Sequence, residues 1–192
     1  MTGREKILSD VVKNKPTAIP LPVLDFKSID QPFDILETFT KYVQAVGGEV
    51  VHVAHEQALL QQVTNERSAG KYIINRVPAG GQVDDVPVDP AILESVYRAY
   101  IKGSFGVAEN GAIWVMESAM GNRILPFICE QLVLVLHKTE LVANMHEAYA
   151  SIQIDKEGYG VFIAGPSKTA DIEQSLVIGA HGPKALSVLI IM

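Results

Sequence analysis

The sequence is poor in cysteine, which limits the metal and redox chemistry that the chain can support by itself. Its 192 residues include one cysteine, Cys129. A single cysteine excludes an intramolecular disulfide framework. It also excludes an iron–sulfur cluster or a four-cysteine zinc site built by one copy of the chain. Cys129 follows the apolar stretch 125–128, which predicts a small core residue.

Positive charge and long apolar runs are also scarce. Lys and Arg total 16 against 22 Asp and Glu, a formal net charge of −6, which disfavours non-specific binding to nucleic acid or an anionic membrane. No uncharged apolar run approaches the roughly 18 residues of a membrane span. Residues 1–15 mix both charge signs without an apolar core, so no signal peptide is expected, and a cytoplasmic location is the default expectation.

The nucleotide and hydrolase fingerprints are absent as well. The chain has no G-x-G-x-x-G, no P-loop and no G-x-S-x-G elbow. His52, His55 and Glu56 form H-x-x-H-E, which is not a known zincin order. We therefore expect no resident cofactor and no metal site.

The sequence does contain apolar, strand-like runs that alternate with amphipathic, helix-like segments. Strands are predicted at 49–54, 71–77, 112–116, 131–136, 160–164 and 185–191. Helices are predicted from Pro32 to Gly47 and over 55–68 and 141–152; residues 91–103 fit a helix or a helix plus a strand. This alternation predicts the α/β class: one open, mostly parallel sheet with helices on both faces.

Prolines interrupt the first thirty residues, because extended backbone is favoured before each proline. We therefore predict an N-terminal arm and linker over 1–30 and an α/β domain over 31–192. Ligands in such sheets usually bind beyond the carboxyl ends of strands, which draws attention to the loops 78–90, 103–111 and 165–183.

The densest group of glycine and polar residues lies in the third of these loops. One interpretation is a well-capped turn, in which Ser167 or Thr169 accepts hydrogen bonds from free N–H groups. The other is a ligand site, although Asp171 and Glu173 would repel an anion unless a cation or sugar hydroxyls intervene. On the second interpretation, the catalytic candidates are Asp171 and His181, and the ligand-binding candidates are Gly165, Ser167, Lys168, Thr169, Glu173 and Gly182.

The loop 103–111 holds three glycines in nine residues. Glu109 stands before Asn110 and Gly111, and it is a candidate general base held in a turn. A simple hairpin turn explains the same residues equally well. If the site exists, Gly106, Asn110 and Gly111 are ligand-binding candidates, and this loop converges with 165–183 on one cleft.

The segments GPSKTADIE (165–173), LVIGAHGP (176–183) and the terminal LSVLII resemble the LUD-domain family, in its lactate utilization protein C group. GVAENGAIWV (106–115) is similar to a looser family segment, with Asn110-Gly111-Ala112 where the family has T-G-T. Lys168 stands where Arg is common, which keeps the charge and loses the bidentate fork.

The resemblance implies a fold similar to the phosphosugar isomerases and CoA transferases. It also implies a part in the oxidation of L-lactate to pyruvate, beside iron–sulfur partner proteins. A small organic acid is a candidate ligand. Two other functions stay open at this point. One is a stand-alone enzyme acting on a small phosphorylated or CoA-linked substrate, and the other is a non-catalytic regulatory module that binds a small acid.

Overall fold

The computed structural model describes residues 2–20, 22, 34–152, 158–170 and 176–192. By its internal contacts the chain divides into two units, Met1–Pro32 and Phe33–Met192. The predicted arm, 1–30, falls within the first unit. No helix in the described ranges is long and apolar enough to cross a membrane.

The first unit contains helix α1 (Gly3–Lys13). Thr2 caps its start, because its hydroxyl accepts a hydrogen bond from the Glu5 N–H while the Glu5 carboxylate accepts one from the Thr2 N–H. No residue of α1 is buried.

The second unit alternates strands with helices, and its elements are as follows in chain order. The helices are α2 (Ile35–Ala45), α3 (Glu56–Ser68), α4 (Pro90–Leu93), α5 (Glu117–Met120), α6 (Leu125–Ile128) and α7 (Met145–Ser151). The strands are β1 (Glu49–Val53), β2 (Ile73–Asn75), β3 (Arg98–Lys102), β4 (Phe105–Val107), β5 (Ile113–Met116), β6 (Gln131–His137), β7 (Leu141–Val142), β8 (Gly160–Ile163), β9 (Lys168–Ala170), β10 (Leu176–Ile178) and β11 (Ala185–Ile191).

A five-stranded parallel sheet forms the centre, in the order β1-β11-β6-β3-β2. The two long strands β6 and β11 lie next to each other, with Leu134 opposite Val188. Both read as unbroken apolar runs because each is covered on two faces. The α/β class and the mostly parallel sheet are therefore confirmed.

The side chains of β6 show how the two faces are covered. Leu132, Leu134 and Leu136 pack into the cluster that includes residues of α2, α4, α5 and α6. Val133 and Val135 point to the other face, where α3 packs. Helices thus lie on both faces, as the sequence predicted.

Two of the predicted strands belong to a second sheet, which corrects the prediction of a single sheet. This sheet has the order β7-β4-β5-β8 and includes the segments predicted at 112–116 and 160–164. The short turn after β4 forces β5 to run antiparallel, with Phe105 opposite Trp114. A parallel neighbour would need a crossover of roughly a dozen residues, and the turn is far shorter.

The structure also refines the local predictions. In α3, Leu59 and Val63 are buried, whereas Leu60 is 41% exposed. Residues 91–103 form the short helix α4 and strand β3, which is the second of the two alternatives. The helix predicted over 141–152 begins at Met145, because Leu141 and Val142 pair with β4, and its Tyr149 is 65% exposed.

Candidate functional site

The two halves of the C-terminal motif line one cleft of about 290 Å³. Its walls come from three parts of the chain: α6 and the start of β6, the end of β8 with the turn that follows, and the residues before β11. The lining residues are Pro126, Phe127, Leu132, Phe162, Ile163, Ala164, Gly165, Pro166, Ser167, Lys168, His181, Gly182 and Pro183.

Backbone hydrogen bonds hold the two halves of the motif together. The Ser167 N–H donates to the Pro183 carbonyl at 3.0 Å, and the Gly179 N–H donates to the Ser167 carbonyl at 3.0 Å. The intervening strands β9 and β10 form an antiparallel pair that places Lys168 opposite Ile178. The motif is therefore a hairpin whose two ends meet at the cleft.

The end of helix α2 supports the cleft from outside. Gly165 has φ 73°, and a Cβ at this position would lie 2.4 Å from the Val46 carbonyl oxygen. The Lys168 ammonium donates a hydrogen bond to the same carbonyl. A cation is favoured here because the last carbonyls of a helix carry partial negative charge. Both residues thus have a packing role in addition to lining the cleft.

The cleft combines an apolar wall with a few polar groups. Phe127, Leu132 and Phe162 supply apolar surface, whereas the Ser167 hydroxyl and the His181 imidazole supply hydrogen-bonding groups. His181 is exposed and makes no hydrogen bond within the described part of the chain. This arrangement can bind a small molecule that has an apolar part and a polar or anionic group.

A tryptophan lies next to the cleft, so its fluorescence can report the binding of a ligand. The Phe162 ring centroid lies 4.7 Å from that of Trp114. Trp114 is the single tryptophan of the sequence and is 7% exposed. A ligand that contacts Phe162 would therefore change the surroundings of one fluorophore.

The cleft lies at the amino ends of the central strands, whereas the sequence predicts a site at their carboxyl ends. Its residues from α6 and from 181–183 come immediately before β6 and β11, so they meet at the amino ends of these strands. The sequence predicts a ligand site beyond the carboxyl ends of the strands. The segment from 165 onward does leave the carboxyl end of a strand, but that strand is β8 of the second sheet.

The 103–111 loop contributes none of the cleft-lining residues within the described ranges. Instead, Gly111 has φ 69° and would place a Cβ 2.7 Å from the Val43 backbone nitrogen. Gly111 lies against Val43, and Gly165 lies against Val46. These two residues are three positions apart, so the two loops contact α2 about one turn apart. Their convergence on a common ligand stays a prediction.

Gly106 and Asn110 each have a visible structural task. A Cβ on Gly106 would lie 2.8 Å from the Phe39 ring, so this strand position needs glycine for close packing. The Asn110 side-chain oxygen accepts a hydrogen bond from the Ala112 N–H at 3.0 Å, which closes the turn after β4. Nothing in these contacts tests the ligand-binding role predicted for them.

The Glu109 carboxylate is directed to helix α7. It accepts a hydrogen bond from the Met145 N–H at 2.8 Å, at the first residue of that helix. The Glu109 N–H also pairs with the Ala143 carbonyl at 3.1 Å, on the β7 side of the second sheet. Since β5 separates β4 from β8, this contact lies away from the cleft wall that β8 provides.

Of the remaining candidate residues, one lies in the described part of the chain and two lie outside it. Thr169 lies in β9, opposite Val177, and does not line the cleft. Asp171 and Glu173 lie outside the described residues. The candidates that the structure brings together are Gly165, Ser167, Lys168, His181 and Gly182.

Sequence reasoning missed the apolar wall. Phe127 and Leu132 are far from the motif in sequence, and they reach it because β6 and β11 are neighbours in the central sheet. Phe162 arrives through β8 of the second sheet. No local pattern marks these three residues as ligand contacts; the sequence shows only that Leu132 and Phe162 lie in predicted strands and that Phe127 shortly precedes one.

Cys129 is a core residue, as predicted. It is 1% exposed, and burial raises the pKa of its thiol to about 12. The thiol therefore stays protonated near neutral pH, which excludes a thiolate nucleophile at this position.

The residues of the H-x-x-H-E segment are divided between different surroundings. His52 lies on β1 beside α2, whereas Glu56 starts α3 and lies 3.7 Å from His137. Within the described ranges, no group of three His, Cys, Asp or Glu side chains could hold a metal ion.

A model of the LUD domain matches residues 95–191, which cover β3 to β11 and the whole cleft motif. The chain therefore belongs to the LUD-domain family, as its C-terminal segments predicted.

Relatives named Lactate utilization protein C are similar to parts of the chain. The protein from Geobacillus kaustophilus (strain HTA426) is 33% identical over 91 residues, which are 44% of this chain and 38% of that protein. The one from Shouchella clausii (strain KSM-K16) is 38% identical over 82 residues, 40% of this chain and 36% of that protein. The one from Anoxybacillus flavithermus is 26% identical over 193 residues, 96% of this chain and 80% of that protein. The first two matches thus span less than two fifths of the relatives' own length.

A solved structure shares the fold. A DUF162 family protein from Deinococcus radiodurans superimposes with a TM-score of 0.63 at 19% identity, covering 84% of this chain and all of that one. At this identity the likeness concerns the fold alone.

Proposed function

We propose that this chain is a component of a lactate utilization system and that its cleft binds a small organic acid. The observation that carries the proposal is the meeting of both halves of the family motif at one cleft of about 290 Å³. The relatives named Lactate utilization protein C support the first part of the proposal, a role in lactate utilization. The apolar wall beside Ser167, Lys168 and His181 supports a ligand with a short apolar part and an anionic group.

The reaction we propose for the system is the oxidation of L-lactate to pyruvate. This step removes two electrons and two protons, and a separate carrier must accept the electrons. A chain with one buried cysteine lacks the ligands for an iron–sulfur cluster. We therefore place the electron-accepting clusters on iron–sulfur partner proteins, and we expect that the isolated chain does not oxidise lactate.

Binding is tested by the fluorescence of Trp114 in the isolated chain. L-lactate, D-lactate and pyruvate are added separately, and we expect a saturable change for at least one of them. His181→Ala removes a cleft side chain that is exposed, so it should weaken binding about tenfold, the loss of one hydrogen bond to a charged ligand, without loss of folding. His55→Ala is the matched control, because His55 is an exposed histidine at the start of α3 and does not line the cleft.

The outcome decides between the candidate functions. An unchanged response in His181→Ala, or no saturable response to any of the three acids, contradicts acid binding in the cleft. Turnover of a phosphorylated or CoA-linked compound by the purified chain would identify a stand-alone enzyme instead. Lactate-dependent reduction of an artificial acceptor by the lone chain would contradict the accessory role.

The physiological role is tested by deletion of the gene. We expect impaired growth on L-lactate, restored by the wild-type gene and by the His55→Ala variant but restored poorly by His181→Ala. Normal growth of the deletion strain, in a background without another lactate dehydrogenase, would contradict the role. Tight acid binding together with normal growth would favour a regulatory module.

A further inference from the structure

The two edge strands of the central sheet are covered differently. At β2, the Asp84 N–H donates to the Asn75 carbonyl at 2.8 Å, and the Asp84 carboxylate accepts a hydrogen bond from the Asn75 N–H at 2.7 Å. The outward N–H and C=O groups of Asn75 are thus satisfied by the chain's own loop. Among the described residues, β1 pairs with β11 alone, and its other side has no such cover.

The direction of the β1 backbone groups follows from one hydrogen bond. The Met192 N–H donates to the Val53 carbonyl at 3.1 Å, so the polar groups of Val53 point to β11. These groups alternate in direction along a parallel strand, so Glu49 and Val51 also pair with β11. The N–H and C=O groups of Val50 and His52 therefore point away from the sheet.

We propose that β1 pairs antiparallel with β1 of a second copy of this chain, about a two-fold axis at Val51. In this register Val50 of each copy exchanges two hydrogen bonds with His52 of the other, which uses all four outward groups of the strand. A shift in register leaves part of the five-residue strand unpaired. The result is a continuous ten-stranded sheet with closed symmetry.

The side chains suit this pairing. Val51, which is 39% exposed, faces Val51 of the second copy, and Glu49 faces Val53. On the other face His52 lies opposite Val50, so no two like charges stand directly opposite each other. An antiparallel arrangement with like charges opposed would be disfavoured, and this one avoids it.

A groove beside β1 could accommodate part of the second copy, so the contact would extend beyond the paired strands. It has a volume of about 730 Å³ and is lined by Asp34, by exposed and half-buried residues of α2, and by His52. Glu37 and Lys41 lie one turn apart on this side of α2. Two antiparallel α2 helices related by the axis would bring Lys41 of each copy towards Glu37 of the other. Charge complementarity thus favours a second copy over an unrelated strand.

The test uses cysteine cross-linking and sedimentation of the full chain. Val51→Cys places two thiols in a directly opposed pair without cross-strand hydrogen bonds, a spacing that a disulfide can bridge. Mild oxidation should yield a covalent dimer of twice 20.9 kDa that reductant reverses. Val88→Cys is the control, because Val88 is 87% exposed and should not cross-link; the native Cys129 is 1% exposed.

A charge substitution gives the independent measurement. Val51→Lys opposes two ammonium groups on the axis and should convert a sedimenting dimer into a monomer, whereas Val51→Thr should stay dimeric. An unchanged Trp114 emission spectrum and a cooperative urea transition show that both variants fold; the midpoint of the monomer is compared with that of the dilute wild-type chain, because association stabilises the folded state. In hydrogen exchange, the amides of Val50 and His52 should be protected in the wild-type dimer and exchange in the Val51→Lys monomer.

Three results would overturn the proposal. The first is a wild-type chain that sediments as a monomer at every concentration. The second is a dimer that persists in Val51→Lys, together with a Val51→Cys variant that fails to cross-link. The third is protection of the Val50 and His52 amides in a monomer. The last result would mean that another part of the same chain occupies the edge.

Discussion

Replacement of Gly165 by alanine separates the two reasons why this cleft position needs glycine. The backbone has φ 73°, a region that costs an L-residue about 1–2 kcal/mol. The new Cβ would in addition lie 2.4 Å from the Val46 carbonyl oxygen, which belongs to the backbone and cannot rotate away. Overpacking of this kind typically costs about 1–3 kcal/mol. We therefore expect Gly165→Ala to lower the free energy of unfolding by roughly 2–5 kcal/mol.

Gly70→Ala is the matched control for this prediction. Gly70 has φ 77°, and a Cβ there would meet nothing within 4 Å, so the variant carries the backbone cost of about 1–2 kcal/mol alone. Urea unfolding of both variants is followed through Trp114. The reasoning is refuted if Gly165→Ala is no less stable than Gly70→Ala. If the cleft also binds the proposed acid, Gly165→Ala should weaken that binding, whereas Gly70→Ala should leave it unchanged.

The remaining predictions concern buried polar groups. Asn75 is completely buried, and its amide hydrogen-bonds the Val77 N–H and the Val77 and Gln82 carbonyls, so Asn75→Ala should cost about 3 kcal/mol or more in urea unfolding; a loss below about 1 kcal/mol would contradict this. Burial raises the pKa of both the Tyr100 hydroxyl and the Cys129 thiol to about 12. Because the folded state holds these protons more tightly than the unfolded chain, their contribution to stability is complete below about pH 9 and is lost as the pH rises towards 12. Cys129→Ala should remove part of this alkaline loss, and an unchanged pH profile would contradict the assignment. In the native protein at pH 8, a thiol reagent should label Cys129 only at the rate of unfolding, and fast labelling would show that the thiol is accessible.

Much of the fold was predictable from local pattern. The apolar run 185–191 indicated a strand covered on both faces, and it is the second strand from one edge of the central sheet, between β1 and β6. Segment 112–116 was equally recognisable as a strand, but the prediction that it belongs to the central sheet is wrong. An apolar, strand-like run is compatible with either sheet, and the choice depends on the direction imposed by the short turn after β4.

The candidate site was predictable in part. The family motif singles out Ser167, Lys168 and His181, and the structure places all three along one cleft because hydrogen bonds hold the two halves of the motif together. Their role in binding a ligand stays a prediction. The role of Glu109 was harder to judge. Its contact with the Met145 N–H joins residues 36 positions apart, and a turn sequence gives no sign of such a partner.

The sequence by itself determined the family, the α/β class, the strand-forming runs and the motif residues, because each depends on composition or on residues close together in the chain. Only the tertiary structure decided the rest. It divided the strands between two sheets and brought Phe127, Leu132 and Phe162 to the motif. Within the described ranges, it also left the outer side of β1 without a paired strand. These features depend on which strands become neighbours, and this is set by the packing of elements that are far apart in sequence.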